Sequence, residues 1–441
     1  MPIACCHLTS IVGVEIVFSG TVVTASQTNL SYCSVLTKDF EKIHTRLTDQ
    51  LRSTNMYGKI ALEEAWAIPE NFKAYDVSSL APKGVIGGDL IANLLDVHGT
   101  RLQQMDENGV DMMVLSLSSP GPQGVTDPEE AANLARLANE RLAAEVGRNP
   151  SRFAGLASVS MHDPAQAAEE LRLCFGSEER SGFVGVIIND YQSSGEDKNT
   201  MLFLDRPECD VFWAVAEELD VPVYVHPREA TPLIHEQMWK DRPWLAYSAL
   251  GYAHRVGMHV LGIVTAGVLD RFPRLKIVIG HMGEHIPYDL YRIDHKLNRA
   301  RFPDMPMAKD KLVRDYFGTQ LFITTSGHFS TPALLCAMQE IGAESIMFSI
   351  DYPFESIPNG CVWFDEHVPI SNRDLVDIGR NNALKVFKRL KGSFHGLEER
   401  SPRECGVGGL GLPRRKGGEE GEGEVEYGLY NRDWSKRLER R

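Results

Sequence analysis

Short apolar runs separated by amphipathic stretches recur between about residues 56 and 392. The runs are short, rich in β-branched residues and seldom interrupted by polar positions, which is typical of strands buried on both faces of a parallel sheet. Eight such runs are present, at 59–62, 112–117, 153–159, 183–188, 221–225, 275–279, 321–324 and 346–350. They predict eight parallel strands.

Helical patterns lie between these runs. Asp127-Pro128 places an N-cap residue before a proline at the first helical position, and this pattern predicts a helix to about Val146. The pairs at 163–164 and 331–332 use the same device. Alternating strands and helices predict an α/β protein, a (β/α)8 TIM barrel. A doubly wound open sheet is the alternative, but no glycine-rich phosphate turn follows its first strand.

The two ends of the chain have a different texture. Residues 1–55 are rich in Ser, Thr and Cys without a sustained period, and we expect them to be a poorly ordered extension of the barrel at 56–392. Residues 393–441 are rich in Gly, Glu and Arg and predict a disordered tail. The apolar stretch 11–23 contains Glu15 and lacks a basic flank, which argues against a signal peptide.

Composition and charge narrow the function. With 43% apolar and 24% charged residues, the 441-residue chain has the composition of a folded protein. Its net charge of −14 argues against nucleic-acid binding. No apolar run approaches the roughly 20 residues that span a bilayer, so we expect no membrane partner and a soluble protein. Eight cysteines without a C-x-x-C pair favour a reducing, cytoplasmic location.

Metal-binding residue types follow several of the predicted strands. The first run leads into Glu63-Glu64, the fifth into His226, the sixth into His281 and the eighth into Asp351. Active sites of β/α barrels form where the carboxyl ends of the strands meet. Carboxylate and imidazole together suit a divalent metal ion. A single residue of this kind is often only a cap, but four at one mouth predict a metal centre.

The remaining histidines are weaker candidates, because most fall on predicted helices or surface loops. They are His98, His162, His235, His254, His259, His285, His295, His328 and His367. His328, just past the seventh run, remains a candidate for the site.

Five segments carry a resemblance to a known family. They are 56–69, 101–110, 223–228, 279–284 and 349–355. They resemble the metal-dependent aromatic-acid decarboxylases of the amidohydrolase superfamily, most closely the fungal 2,3-dihydroxybenzoate decarboxylases, with γ-resorcylate and salicylate decarboxylases as relatives. The resemblance covers about residues 56 to 390 and implies an amidohydrolase-type barrel. It would start at Met56, so residues 1–55 have no counterpart in it.

The resemblance implies a ligand set. One divalent ion, zinc, magnesium or manganese, would be held by Glu63, His226 and Asp351. His281 and Glu284 would form a hydrogen-bonded pair beside it. Arg292 would belong to the wall of the site.

The resemblance also implies a reaction, the non-oxidative decarboxylation of an ortho-hydroxybenzoate such as 2,3-dihydroxybenzoate to catechol and CO₂. Asp351 would give a proton to the ring, and His281, oriented by Glu284, would assist loss of the phenol proton. The partners implied are a small aromatic carboxylic acid and further copies of the chain in a homodimer or homotetramer. Four aromatic side chains, Trp66, Tyr75, Trp244 and Phe354, are candidates to clamp the ring or to serve only as packing.

Two other functions stay open. A hydrolase, or a decarboxylase of a non-aromatic acid such as a muconate semialdehyde, could use the same barrel. Hydrolytic relatives carry a histidine two residues after the first-strand ligand, where this chain has Ala65. An inactive barrel serving as an interaction scaffold is the other alternative, and loss of a metal ligand would support it.

Overall fold

The computed structural model describes residues 56–74, 88–176 and 182–407, together with the backbone of two strands near the N-terminus. Those two strands, β1 (Val14–Phe18) and β2 (Thr21–Ala25), pair as an antiparallel hairpin. The rest of the predicted N-terminal extension and residues 408–441 lie outside the described residues.

Eight parallel strands form one continuous sheet in the central part of the chain. They are β3 (Lys59–Trp66), β4 (Val110–Leu117), β5 (Phe153–Ser158), β6 (Phe183–Asn189), β9 (Val223–His226), β10 (Ile277–Ile279), β11 (Leu321–Thr324) and β12 (Ile346–Met347). A short antiparallel hairpin, β7 (Gln192–Ser194) with β8 (Thr200–Leu202), lies between β6 and β9 in the chain. All eight predicted strands are therefore present, although the last is shorter than its apolar run.

Hydrogen bonds bring the two edges of this sheet together. The strand order is β12-β11-β10-β9-β6-β5-β4-β3, which leaves β3 and β12 as the edges. The backbone N–H of Ala65 donates to Tyr352 O at 2.8 Å. The N–H groups of Leu62 and Glu63 donate to Ser349 Oγ at 3.1 and 2.7 Å. The sheet is thus nearly closed, which confirms the predicted barrel and makes the open-sheet alternative wrong.

Helices follow the strands around the sheet. They are α1 (Asn71–Ala74), α2 (Gly88–Leu95), α3 (Thr100–Glu107), α4 (Pro128–Arg148), α5 (Pro164–Gly176), α6 (Asp210–Glu218), α7 (Pro232–Ile234), α8 (Gly251–Thr265), α9 (Val268–Arg271), α10 (Ile286–Lys296), α11 (Thr331–Ile341), α12 (Ile357–Glu366), α13 (Asn372–Val376) and α14 (Asn382–Val386). Within the described ranges, none of them has the length and apolar character needed to cross a bilayer.

Two of the three predicted helix starts are visible as caps, whereas α11 begins at Thr331 itself, after Ser330, without a side-chain cap. Asp127 accepts a hydrogen bond from the backbone N–H of Glu130 at 2.9 Å, and Pro128 opens α4. Asp163 caps α5 in the same way through the N–H of Ala165. Such caps satisfy N–H groups that have no partner inside the helix.

Side chains of the strands form two buried layers. One layer lies between the strands and the helices and contains most of the apolar core. The other is formed from strand residues such as Ile60, Leu62, Met112 and Val114. Buried residues at 383–390 belong to this second cluster, so α14 and the turn after it seal one end of the barrel.

The packed part of the chain extends beyond the predicted boundary at 392. Cys405 and Val407 are buried, and the N–H of Tyr57 donates to Cys405 O at 2.9 Å. Arg380 Nε donates to Glu398 O at 2.8 Å. The composition did not predict that residues 393–407 are packed, because they contribute few apolar side chains. They are held mainly by hydrogen bonds from distant residues.

We propose that the folding unit is therefore residues 56–407. A chain of 56–407 should unfold at nearly the same temperature as the full-length protein. A chain of 56–392 should unfold several degrees lower, because the buried Arg380 guanidinium loses an acceptor and each such loss costs about 1–3 kcal/mol. Thermal unfolding followed by circular dichroism measures both. Equal midpoints for the two truncated chains would contradict the proposed boundary.

Candidate metal centre

Four side chains from four different strands, or from the turns that follow them, meet at one mouth of the barrel. Glu63 comes from β3, His226 ends β9, and His281 and Asp351 follow β10 and β12. One nitrogen or oxygen atom of each lies within 4.8 Å of the others. The structure thus brings together the four residues that the sequence predicted to meet at the mouth. His281 was predicted to lie beside the metal ligands, but here it presents a potential ligand atom of its own.

Hydroxyl groups hold one oxygen of Glu63. Glu63 Oε2 accepts hydrogen bonds from Tyr224 and from Ser326 Oγ, the latter at 2.5 Å, and Thr324 Oγ1 lies 3.5 Å away. Burial and the Glu63 charge keep the pKa of Tyr224 well above its usual value, so its phenol retains the proton that it donates. Tyr224 lies two residues before His226 on the same strand face, a period-two signal that could have revealed it.

The other oxygen of Glu63 points at two imidazoles. Oε1 is buried and accepts no hydrogen bond from the described residues. It lies 3.1 Å from His226 Nε2 and 3.3 Å from His281 Nε2. His226 Nδ1 is 2.7 Å from Pro227 O, and His281 Nδ1 is 2.7 Å from Glu284 Oε1. With Nδ1 donating in both rings, each Nε2 presents a lone pair toward Oε1.

This cluster couples protons strongly. Burial alone would raise the pKa of Glu63, but His281 and His226 lower it to about 2. Burial would lower the pKa of His281, but the charges of Glu63 and Glu284 raise it well above its usual value. A divalent ion bound here would compete with protons for the same nitrogen and oxygen atoms.

Asp351 stands in an unusual backbone conformation at the edge of the cluster. Its φ of 77° lies in the left-handed region, which non-glycine residues seldom adopt. Asp351 Oδ2 is 3.6 Å from His281 Nε2, and the side chain is 13% exposed, so it can reach a ligand in the mouth. Burial, with the nearby Glu63 charge, raises the pKa of Asp351 against the opposing effect of His281.

The second carboxylate of the Glu63-Glu64 pair does not join the cluster. Glu64 is fully buried and accepts hydrogen bonds from the segment that contains Asp351. Burial raises the pKa of Glu64 to about 8, although the hydrogen bonds and the charge of Arg101 act in the opposite direction. Sequence reasoning assigned no role to this residue.

Two glycines leave space for the carboxylates. A Cβ on Gly280 would collide with the carboxylate of Glu63. Gly327 has a φ of 60°, and a Cβ there would lie 3.2 Å from His281 Cδ2 and 3.4 Å from Asp351 Oδ2. Larger residues at either position would displace the ligand-capable atoms.

These side chains fit a divalent metal ion. A buried carboxylate oxygen without a donor, facing two nitrogen lone pairs, is the donor set expected for manganese, zinc or magnesium. Ala65, two residues after Glu63, offers no ligand atom. All the predicted ligands are present together. The loss of a ligand would have supported an inactive scaffold, and none of them is lost.

Other predicted site residues lie apart from the cluster. Arg292 is exposed on α10, and the hydrogen bonds and ion pairs found among the described residues do not connect it to the four side chains. His328 is partly buried, and burial lowers its pKa, so its imidazole is neutral. The charges of His281 and Glu284 also affect the pKa of His328, which indicates that His328 lies near the mouth.

The four candidate ring clamps differ in position. Trp66 is buried in the core between strands and helices. Phe354 is half-buried and packs against the small apolar cluster that contains Ala65 and Leu90. Trp244 is 69% exposed, and Tyr75 lies outside the described residues. Trp66 is therefore core packing, and Phe354 packs beside the strand that carries Glu63.

Comparison with known proteins agrees with this geometry. The amidohydrolase family model matches residues 95–389. The chain is 42% identical over 336 residues to γ-resorcylate decarboxylase of Rhodococcus jostii, covering 76% of this chain and 99% of that protein. It is 36% identical over 291 residues to decarboxylase orsB of Emericella nidulans, covering 64% and 82%.

The chain is also similar to a solved structure. A dihydroxybenzoic acid decarboxylase from Polaromonas sp. JS666, with bound manganese and the inhibitor 2-nitroresorcinol, is 37% identical and superposes with a TM-score of 0.71. The match covers 77% of this chain and 99% of that structure.

Proposed function

Because the chain belongs to the amidohydrolase family, among its aromatic-acid decarboxylases, we propose that it removes CO₂ from an ortho-hydroxybenzoate by a metal-dependent, non-oxidative reaction. The enzyme is a carboxy-lyase. The first substrate to test is 2,3-dihydroxybenzoate, which would yield catechol. The observation that carries the proposal is the donor-free Oε1 of Glu63, aimed at two imidazole nitrogens beside a reachable Asp351.

The ligands of one divalent ion would be Glu63, His226 and Asp351, with His281 Nε2 also within reach. Manganese is the first choice, because the Polaromonas relative contains it, with zinc and magnesium as alternatives. A divalent ion there would supply Lewis-acid stabilisation of a phenolate and a fixed position for the neighbouring carboxylate.

Proton movements would be the work of the chain's own side chains. His281 Nε2 would receive the phenol proton, and the 2.7 Å contact between Nδ1 and Glu284 would hold the ring orientation. Asp351, displaced from the ion by the substrate and then protonated, would deliver that proton to the ring carbon that carries the carboxylate, and it would regain a proton from solvent after turnover. As the bond to that carboxylate breaks, its electron pair would restore the aromatic ring and CO₂ would leave. The raised pKa of Asp351 supports an acid role.

Arg292 remains a proposed wall residue, supported by its position on the helix that begins two residues after Glu284.

The same helix exposes two large aromatic side chains, Tyr288 by 81% and Tyr291 by 72%. Large exposed aromatic side chains often mark subunit contacts, so they support a homodimer or homotetramer. Light scattering would test this, and a monomer would contradict it. Cys209, Cys336 and Cys405 form no disulfide within the part of the chain that the structure describes, which supports a cytoplasmic location.

The proposed function predicts a strict requirement for the ortho hydroxyl. We expect CO₂ release from 2,3-dihydroxybenzoate, slower release from salicylate, and none from 3- or 4-hydroxybenzoate. Only an ortho hydroxyl lets the phenolate and the carboxylate reach the same cation. Chelation should stop the reaction, and manganese should restore it. Equal turnover of 4-hydroxybenzoate, or activity that survives chelation, would show that the proposal is wrong.

A further inference from the structure

Glu64 is connected to the residues on both sides of Asp351. Its Oε1 accepts from Ser349 Oγ at 2.9 Å and from the N–H of Ile350 at 3.0 Å. Its Oε2 accepts from the N–H of Tyr352 at 3.1 Å. One carboxyl group thus binds the residue before Asp351 with one oxygen and the residue after it with the other.

These contacts surround a backbone conformation that requires support. Asp351 has a φ of 77°, and a non-glycine residue persists in that region only when its surroundings hold it there. The flanking peptides make further contacts, since Tyr352 O accepts from Ala65 and Ile350 O accepts from the N–H of Gly327 at 3.1 Å. The turn is therefore held on both sides, and it directs the Asp351 carboxylate toward His281.

Arg101 holds the other side of this arrangement. It is fully buried, its Nη2 donates to Ala65 O at 2.7 Å, and its guanidinium lies 4.8 Å from the centre of the Tyr352 ring. Arg101 therefore contacts the residue after Glu64 and the residue after Asp351. The buried Arg101 guanidinium thus contacts both the strand that carries Glu64 and the turn that carries Asp351.

We propose that Glu64 is a positioning residue for the reaction, acting through Asp351. Its carboxyl group holds the left-handed turn that places the Asp351 carboxylate beside His281 and Glu63. The two adjacent glutamates then have separate tasks, since Glu63 faces the metal site and Glu64 orients the acid. This inference rests on the proposed role of Asp351.

A purely structural role in closing the barrel is the competing explanation. Glu64→Gln keeps the size of the side chain and one acceptor oxygen, but it places an NH₂ group against an N–H or O–H donor. The matched control is Lys59→Met at the other end of β3, where Lys59 Nζ bonds Asp365 at 2.8 Å and Met56 O at 2.6 Å. Both substitutions remove a buried polar contact of the same strand.

The first measurement compares kcat, KM and thermal midpoint for the full-length variants. Glu64→Gln should lower kcat by about 10- to 100-fold with a much smaller change in KM, as expected for a misplaced reacting group. Lys59→Met should lower the thermal midpoint, and at temperatures below that midpoint it should leave kcat unchanged. A folded Glu64→Gln enzyme with kcat within twofold of wild type would overturn the inference.

The second measurement is a double-mutant cycle on Mn²⁺ affinity, which requires no turnover. Glu64→Gln should weaken Mn²⁺ binding about threefold or more in the wild-type background and have no effect in the Asp351→Asn background. Equal losses in both backgrounds would overturn the inference. Should Glu64→Gln fail to fold, Glu64→Asp, which keeps both acceptor oxygens and withdraws them by one methylene from the three donors, carries the same cycle with the same criterion.

The two measurements separate this inference from the proposed function. A wild-type enzyme that binds Mn²⁺ but releases no CO₂ from any hydroxybenzoate would contradict the proposed function. The cycle on Mn²⁺ affinity would still decide whether Glu64 acts through Asp351.

Discussion

Replacing Asp351 by Asn should abolish CO₂ release while leaving the barrel folded. An amide cannot deliver the proton to the ring carbon, and it is a neutral, weaker ligand than a carboxylate. The loss in kcat should reach or exceed the roughly 10²- to 10⁴-fold contributed by one positioned proton-transfer group. Turnover of 2,3-dihydroxybenzoate at saturating Mn²⁺ measures it, with bound metal determined in the same sample.

A matched control is Asp111→Asn at the start of β4. Asp111 Oδ2 pairs with Arg400 at 2.8 Å and with Arg380 at 3.0 Å, in contact with the C-terminal segment. This variant should lose some stability and keep its kcat. Wild-type turnover in D₂O should also place deuterium on the carbon that carried the carboxylate. An Asp351→Asn enzyme within tenfold of wild-type kcat would show that another group protonates the ring.

Replacing His226 by Ala should remove the metal and the activity together. His226 Nε2 lies 3.1 Å from the donor-free oxygen of Glu63, and a methyl group offers no lone pair there. Loss of an outer-shell partner already costs about 10- to 100-fold in metal affinity, so loss of a ligand should cost more. Elemental analysis and Mn²⁺ titration measure the effect.

The control for this variant is His98→Ala. His98 Nε2 contacts Glu145 at 3.1 Å, away from the four-residue cluster, so His98→Ala should bind metal and turn over as wild type does. A His226→Ala enzyme with stoichiometric tightly bound metal would contradict the proposed ligand set. Retained metal with lost turnover would instead assign His226 to substrate binding.

Several features could be predicted from the sequence alone because they depend on local pattern. Unbroken apolar runs between helical stretches predict buried parallel strands, since both faces of such a strand must be covered. The carboxyl ends of parallel strands then meet at one mouth, so His226, His281 and Asp351 could be placed together without coordinates. The significance of Ala65 came instead from the family resemblance, which implies a histidine at this position in hydrolytic relatives.

The tail boundary could not be predicted, because it depends on contacts between distant residues. Arg380 and Tyr57 bond to the backbone of 398 and 405, and no local pattern in residues 393–407 announces those bonds. The position of Arg292 is a similar case. A helical pattern can place this residue on α10, but only packing decides whether its side chain faces the mouth or the solvent.

The strand pattern alone did not separate the roles of Glu63 and Glu64; the family resemblance named Glu63, and only the tertiary structure shows what Glu64 contacts. In a regular strand, alternate residues face opposite sides, and the sequence does not reveal which of two adjacent glutamates faces the barrel axis. The pairing of β3 with β4 shifts register between Ala61 and Glu64, and such irregularities redirect side chains near active sites. Glu63 thereby meets Tyr224 and the two imidazoles, while Glu64 meets the turn at Asp351. The residue types were determined by the chain alone, but their roles depend on a register that long-range packing sets.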